Sequence, residues 1–308
     1  MANLKPKVTV IDFLINVLEY IERYGYNLKK IKEKYNIRIN NQGEALEEFV
    51  KNSFAGTLVE NIDTQKRNQI FDSCFSYLGN QNNPPDLIIK YGEAIEIKKI
   101  EGESSRKKIP LNSSYPKSKL YKDDPRITET CRNLKDWENS ARDIIYVIGV
   151  ENKEKKFELQ KLYLVYGDIY AADKEVYERI AKIIKDSIED LSENIELRET
   201  KELGKVAKVD PLGITDLRIR GMWNILSPRG TFGKKSGLEE FDDDSYKVLM
   251  LIRKNKWSNI LSNNQKAEKY NELKNTGKII EKDVQVKDPN NPANLIDVKL
   301  IAIKRESL

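Results

Sequence analysis

Pro85-Asp86-Leu87-Ile88-Ile89-Lys90-Tyr91-Gly92-Glu93-Ala94-Ile95-Glu96-Ile97-Lys98 is the stretch whose reading decides the fold. Two apolar runs flank Tyr91-Gly92, the pattern of two strands around a tight turn. Alternate side chains of a strand share a face, so Glu96 and Lys98 point one way while Ile95 and Ile97 point into a core. The turn returns the chain so that Asp86 lies beside Glu96. One Asp, one Glu and one Lys thereby converge at one end of a hairpin, held by short, rigid elements.

That grouping suits phosphodiester hydrolysis. Two carboxylates form a hard oxygen site for Mg²⁺, which prefers carboxylate and phosphate ligands and keeps several waters. The Ile97 carbonyl is a further candidate oxygen ligand. A metal there polarises the phosphoryl group and acidifies water, and Lys98 can hold that water in line and offset developing charge. Glu-x-Lys alone says little, because five such triplets occur, beginning at Glu96, Glu151, Glu154, Glu199 and Glu272. Only the Glu96 triplet follows the single Pro-Asp at hairpin distance. The competing reading is a solvated hairpin edge, with Asp86 as a turn residue and Glu96 and Lys98 as a surface ion pair. Glu47, bordering the apolar stripe of a predicted helix, is a further candidate catalytic carboxylate; the alternative is a solvated face made by Glu44, Glu47 and Glu48.

The composition narrows the chemistry further. Histidine is absent, which removes Ser-His-Asp and Cys-His catalysis, HExxH zinc sites and nucleases with a histidine base. The two cysteines, Cys74 and Cys131, cannot complete a four-ligand zinc site and read as buried free thiols. The 308 residues, 39% hydrophobic, suffice for a sizeable core. A net charge of +5 permits nucleic-acid binding without requiring it. No targeting segment and no apolar run of about 20 residues is evident, so no membrane association and a cytoplasmic location are expected.

Along the chain, helices are predicted at 8–24, after Asn41-Gln42-Gly43 to near Gly56, at 126–140 and at 173–191, where Asp173 is the candidate N-cap. In the last of these, Val176, Ile180, Ile183, Ile184, Ile188 and Leu191 form an apolar stripe. Strands are predicted at 69–78, at the hairpin, at 143–150, 161–169, 246–256 and 284–304, with a short helix near 264–274. The basic run 29–34 reads as a connector, 79–85 as a turn, 102–125 as a long polar loop, 195–225 as extended and 227–245 as a loop. Three portions follow: an N-terminal helical segment (1–40), a core that carries the hairpin (41–192), and a C-terminal portion of the same domain (193–308).

The hairpin resembles the PD-(D/E)xK nuclease superfamily, with nine residues between Asp86 and Glu96. More narrowly, the chain is similar to the NgoPII-type family of type II restriction endonucleases. The similar segments are Gly43 to Glu48, Phe75 to Asn80, Asn83 to Asp86, Asn112 to Leu120, Thr200 to Gly204, Val209 to Thr215 and Arg218 to Trp223. The resemblance implies an α/β fold, a restriction-endonuclease-like mixed β-sheet flanked by helices, with added helical and β segments for DNA recognition. It implies Mg²⁺ dependence, with Mn²⁺ as a substitute, and cleavage of both strands of duplex DNA. The implied site is a short palindrome, GGCC in this family, and the products carry 5′-phosphate and 3′-hydroxyl ends. It carries metal binding to Asp86 and Glu96 and catalysis to Lys98, with Glu47 matching the superfamily's acidic helix position.

A palindrome is naturally read by a two-fold dimer, so a homodimer is expected. Guanine is best read by bidentate Arg or Lys, and Arg218 and Arg220 lie on alternate residues of a predicted extended segment. Asn112, Ser113, Ser114, Lys117 and Lys119 suit phosphate or base contacts. For both groups an ordinary polar surface is the competing reading. Asp242-Asp243-Asp244 reads as a solvated turn. Gly230, Gly233, Lys234 and Lys235 lack P-loop spacing, so no nucleotide cofactor is expected. Two other functions stay open: a structure-specific repair or junction nuclease of the same fold, and a catalytically inactive DNA-binding module.

Overall fold

The computed structural model describes residues 6–35, 41–80, 83–137, 139–189, 204–206, 210–212, 214–215, 217–233 and 246–304. In chain order the helices and strands are α1 (Val10–Tyr24), α2 (Lys29–Tyr35), α3 (Gln42–Ala55), α4 (Thr64–Cys74), β1 (Phe75–Asn80), β2 (Asn83–Ile89), β3 (Ala94–Glu101), β4 (Lys108–Asn112), β5 (Lys119–Tyr121), α5 (Glu129–Arg132), β6 (Ala141–Glu151), β7 (Leu159–Tyr166), α6 (Lys174–Glu189), β8 (Gly204–Val206), β9 (Leu217–Ile219), β10 (Trp223–Leu226), α7 (Pro228–Phe232), β11 (Tyr246–Arg253), α8 (Lys254–Asn263), α9 (Ala267–Asn275), β12 (Ile279–Lys287) and β13 (Leu295–Lys304).

A large mixed sheet runs in the order β1-β2-β3-β6-β7-β11-β13-β12, with β5 added beside β6. The β3–β6 and β7–β11 pairs are parallel, and the other pairs along this path are antiparallel. Helices flank it, as the resemblance implied. The central strands are apolar on both faces because both are covered. Ile144, Ile145, Val147 and Ile148 of β6 and Leu164 and Val165 of β7 are all buried.

On one face α1 packs on α3, with the Phe13 and Phe54 rings 4.7 Å apart. Thr9 and Asp12 close a capping box on α1. The Asn41 side chain caps α3 by accepting from the Glu44 amide, 3.0 Å away. Leu46 of α3 then drives into β6 at Gly149, where a Cβ would sit 2.6 Å from the Leu46 side chain. That close approach sets the depth of α3 against the sheet, and with it the height of neighbouring Glu47.

The structure corrects several local expectations. The run 29–34 is helix α2 rather than a connector. Residues 69–74 are helical, and only 75–80 form a strand. Asp63 caps this helix, and Arg67, Phe71 and Cys74 are buried at helical spacing; the Arg67 guanidinium lies over the Tyr35 and Phe71 rings. A pattern built on apolar residues alone passes over a buried arginine. The segment 79–85 is largely strand, because β1 and β2 pair across it.

The segment 102–125 holds β4 and β5. β4 pairs with β10, more than one hundred residues away, so no local pattern marks it. The helix expected at 126–140 shrinks to α5. Asn139 and Ser140 have φ of 51° and 58°, a left-handed conformation that no right-handed helix accommodates. Residues 167–169 form a 3-10 turn rather than strand, and 254–263 are helix α8. Helix α7 occupies part of the expected 227–245 loop.

Helix α6 forms as expected, but Val176, Ile180, Ile183 and Ile184 are exposed, Ile183 by 54%. The helix is anchored at its first turns, where Tyr177 stacks on Tyr115 at 5.4 Å. Asp173 accepts from Ser118 and precedes that anchor. The side chain of Ile188 and residues 191, 200–203, 234–235 and 242–244 lie outside the described residues. Both cysteines are free and buried. No described helix is long and apolar enough to cross a membrane.

Candidate active site

The hairpin forms with Leu87 opposite Ile95 and Ile88 opposite Ala94. Ile95 is fully buried, while Glu96 and Lys98 turn to the other face and meet at 2.6 Å between Oε1 and Nζ. Asp86 reaches across the turn, its Oδ2 accepting from the Ile97 amide at 2.5 Å. Gly79 lets β1 close over this point, because a Cβ there would meet the Pro85 carbonyl oxygen at 2.4 Å. Asp86, Glu96 and Lys98 therefore come together as the spacing predicted, and none is a free surface side chain; Glu96 is only 9% exposed.

The electrostatics of this cluster are strained. Burial, then the neighbouring Glu96 carboxylate, push the Asp86 carboxyl up to about 8, against the opposing pull of Lys98. Burial alone would lower the Lys98 ammonium, but Glu96, Asp86 and Glu47 together outweigh it and hold it above its ordinary value. Glu47 is also raised, chiefly by burial, with Lys51 opposing. Its side chain lies 4.0 Å from Lys51 and senses Lys98, so it borders the cluster without bonding to the hairpin.

One atom bears directly on a metal. Among the described residues Glu96 Oε2 is buried with no hydrogen-bond partner, whereas buried polar atoms in proteins normally have one. Asp86 lies close enough for the Glu96 charge to add to the burial that raises its pKa. Crowded carboxylates with an unsatisfied oxygen fit a hard divalent cation, which would supply the missing partner and relieve their repulsion. Among the described residues no group of three or more His, Cys, Asp or Glu side chains gathers at metal-holding distance. The residues present thus offer two carboxylates and leave further positions to water, carbonyl or phosphate oxygen, a donor set that suits Mg²⁺ better than a fully protein-caged ion. The Ile97 carbonyl lies on the same strand; its amide is already committed to Asp86.

Asp86, Glu96 and Lys98 line a cleft of about 90 Å³ together with Asn112, Ser113 and Ser114. Asn112 ends β4 with φ of 52°, a left-handed conformation that asparagine tolerates better than most residues. Ser113 and Ser114 follow directly and line the cleft with the carboxylates. Lys117, from the same loop, goes elsewhere. It is 4% exposed, paired to Asp124, and packed over the Tyr115 ring. Its backbone amide donates to the Tyr146 hydroxyl at 2.7 Å, and Tyr146 neighbours Glu96 across the β3–β6 pair. A charge so neutralised and enclosed anchors the loop; the expectation that it contacts DNA meets a closed pair. Lys119 is exposed on β5, opposite Asp143. Arg218 sits in β9 opposite Lys205, with only its backbone described, and Arg220 follows, exposed.

Arg126 also lines the cleft, and sequence reasoning missed it. It stands alone after Pro125 in a polar stretch with no repeat or spacing to mark it. A larger crevice of about 1200 Å³ between α1, the end of α3 and α8–α9 carries no comparable chemistry. There Asn264 donates to Thr9 and Lys266 pairs with Asp12.

Comparison with known proteins identifies the family. The sequence profile of the NgoPII restriction endonuclease family matches residues 9–287. The chain is 42% identical over 268 residues to the type II restriction enzyme NgoPII of Neisseria gonorrhoeae, covering 86% of this chain and 90% of that protein. No solved structure matches.

Proposed function

Because the chain belongs to the NgoPII restriction endonuclease family, we propose that it cuts both strands of duplex DNA at a short palindrome, GGCC, using the Asp86–Glu96–Lys98 cluster. The observation that carries the assignment of the site is the buried, unpartnered Glu96 Oε2 beside the crowded Asp86 carboxyl. Asp86 and Glu96 would hold Mg²⁺, or Mn²⁺ in its place, with the Ile97 carbonyl as a further donor. When bound, the cation supplies Lewis-acid polarisation of the phosphoryl oxygen and acidifies water.

Lys98 orients the attacking water and offsets charge growing on the phosphate. Its raised pKa keeps it cationic throughout the neutral range. Glu47, on α3, tunes the charge of that lysine from the side. Asn112, Ser113 and Ser114 hold the backbone or a base edge over the carboxylates. Lys119, Arg218 and Arg220 contribute outer contacts. The hydrolysis leaves a 5′-phosphate and a 3′-hydroxyl.

A two-fold site calls for two copies of the chain. The bare stripe of α6 is suited to that contact. Arg179 and Asp186 lie seven residues apart on its flank and are both exposed, so an antiparallel copy would pair each with its opposite.

Incubating the protein with phage DNA and Mg²⁺ should give discrete fragments, lost on chelation, whose mapped ends fall in GGCC. Preferential cutting of flapped or branched substrates would instead favour a repair nuclease, and binding without any cutting a DNA-binding module.

A further inference from the structure

The Arg126 guanidinium is a half-buried positive charge in the catalytic cleft. Among the described residues it has no ion-pair or hydrogen-bond partner. Burial lowers its pKa, with Asp124 and Tyr115 opposing; the neighbouring charges do not fully offset its loss of water. Buried charges are normally paired, and among the described residues the two most enclosed arginines are. Arg67 pairs with Glu48, and Arg142 with Asp136.

The segment around Arg126 is, by contrast, firmly held. Its amide donates to Asp124 Oδ1 at 2.8 Å, and its carbonyl accepts from the Asn83 side chain at 2.7 Å. Asp124 is itself fixed by Lys117 and, through its carbonyl, by Arg132 at 2.9 Å. Asn83 begins β2, the strand that carries Asp86. The backbone of Arg126 is thus bolted to the catalytic strand while its side chain is left for an anion.

We infer that Arg126 is a phosphate-binding residue, taking a diester oxygen of the DNA backbone inside the cleft beside Asp86, Glu96 and Lys98. A guanidinium suits this ligand because its planar fork matches two phosphate oxygens. The inference rests on the nuclease reading for its ligand and not for its geometry. Asn83 and Asp124 act only through the position of Arg126.

The test is binding of a short GGCC duplex, followed by fluorescence anisotropy with Ca²⁺ in place of Mg²⁺. Single methylphosphonate substitutions remove one backbone charge at a time. Arg126→Ala should weaken binding about tenfold and reduce the salt slope by about 0.9. One methylphosphonate position that costs the wild type affinity should cost the variant nothing. Arg126→Lys should keep the slope and lose part of the affinity. Unchanged affinity and slope in Arg126→Ala would overturn the inference. So would weaker binding in which every methylphosphonate position still costs what it costs the wild type, the signature of a merely structural role. Cleavage of the unmodified duplex by wild type with Mg²⁺ runs alongside. No cleavage, with the methylphosphonate pattern present, would remove the nuclease reading and leave the phosphate contact standing; cleavage without the pattern would do the reverse.

Discussion

Two enclosed lysine–carboxylate pairs, Lys98 with Glu96 and Lys117 with Asp124, differ in what is left over around them. The Lys117–Asp124 pair is closed: both side chains are about 5% exposed or less, and the second carboxylate oxygen takes the Arg126 amide. The Lys98–Glu96 pair is open. Lys98 keeps 25% of its side chain exposed, Glu96 keeps an unpartnered oxygen, and Asp86 crowds in as a second acid. A satisfied ion pair holds architecture in place, whereas a half-satisfied one holds room for a ligand. Chemistry-bearing residue types alone do not separate the two, since both are Lys and carboxylate near the same cleft.

Substitution should divide the pairs by effect. Lys98→Ala is expected to lower kcat by on the order of 10²–10³-fold, with a smaller stability loss than at Lys117 because this pair is the more exposed, and Asp86→Asn to abolish cleavage. A Lys98→Ala enzyme cutting phage DNA at the wild-type rate would remove the distinction. Lys117→Ala should act on stability instead, because it strands the buried Asp124 charge; a cost of about 3–5 kcal/mol is expected in urea unfolding. Unfolding indistinguishable from wild type would mean that the closed pair anchors nothing.

The crowding at Asp86 also has a pH signature. Without a cation, the folded carboxyl holds its proton up to about 8, against about 3.9 in an unfolded chain. The native state therefore binds more protons than the unfolded state between those values, and stability falls as pH rises through them. Asp86→Asn should raise the melting temperature of the metal-free protein above pH 8 and leave it unchanged below about pH 4. Equal melting temperatures for both proteins at pH 9 would contradict the crowding. Away from both pairs, Ile180→Asp should shift the sedimentation of the protein from dimer to monomer, and a dimer that persists would place the contact elsewhere. The smallest effect is expected at exposed Lys119, where Lys119→Ala should change only the salt slope of DNA binding, by about 0.9.

Much of the candidate site was readable in the chain itself. Period-two alternation around Tyr91-Gly92 and a single Pro-Asp located Asp86, Glu96 and Lys98, because a hairpin is a local structure whose partners are neighbours in sequence. Asn41 and Gly56 marked the ends of α3 by the same local logic. The pairing that positions Asn112 was not legible in that way. β4 meets β10 across more than one hundred residues, and Arg67, a buried cation at a helix core position, hid α4 from an apolar pattern. Arg126 had no signal at all, since its role depends on Asn83 and Asp124 meeting it in space.

By itself, then, the sequence determined the chemistry available to this protein. With no histidine and two free cysteines, carboxylates and lysine remain, and the hairpin's pleat puts Glu96 and Lys98 on one face. The tertiary structure alone decided which charges stay open. Burial and hydrogen bonding are properties of the whole packed chain, so only the fold could close Lys117 onto Asp124 and, among the described residues, leave Glu96 Oε2 and the Arg126 guanidinium without a partner at the cleft.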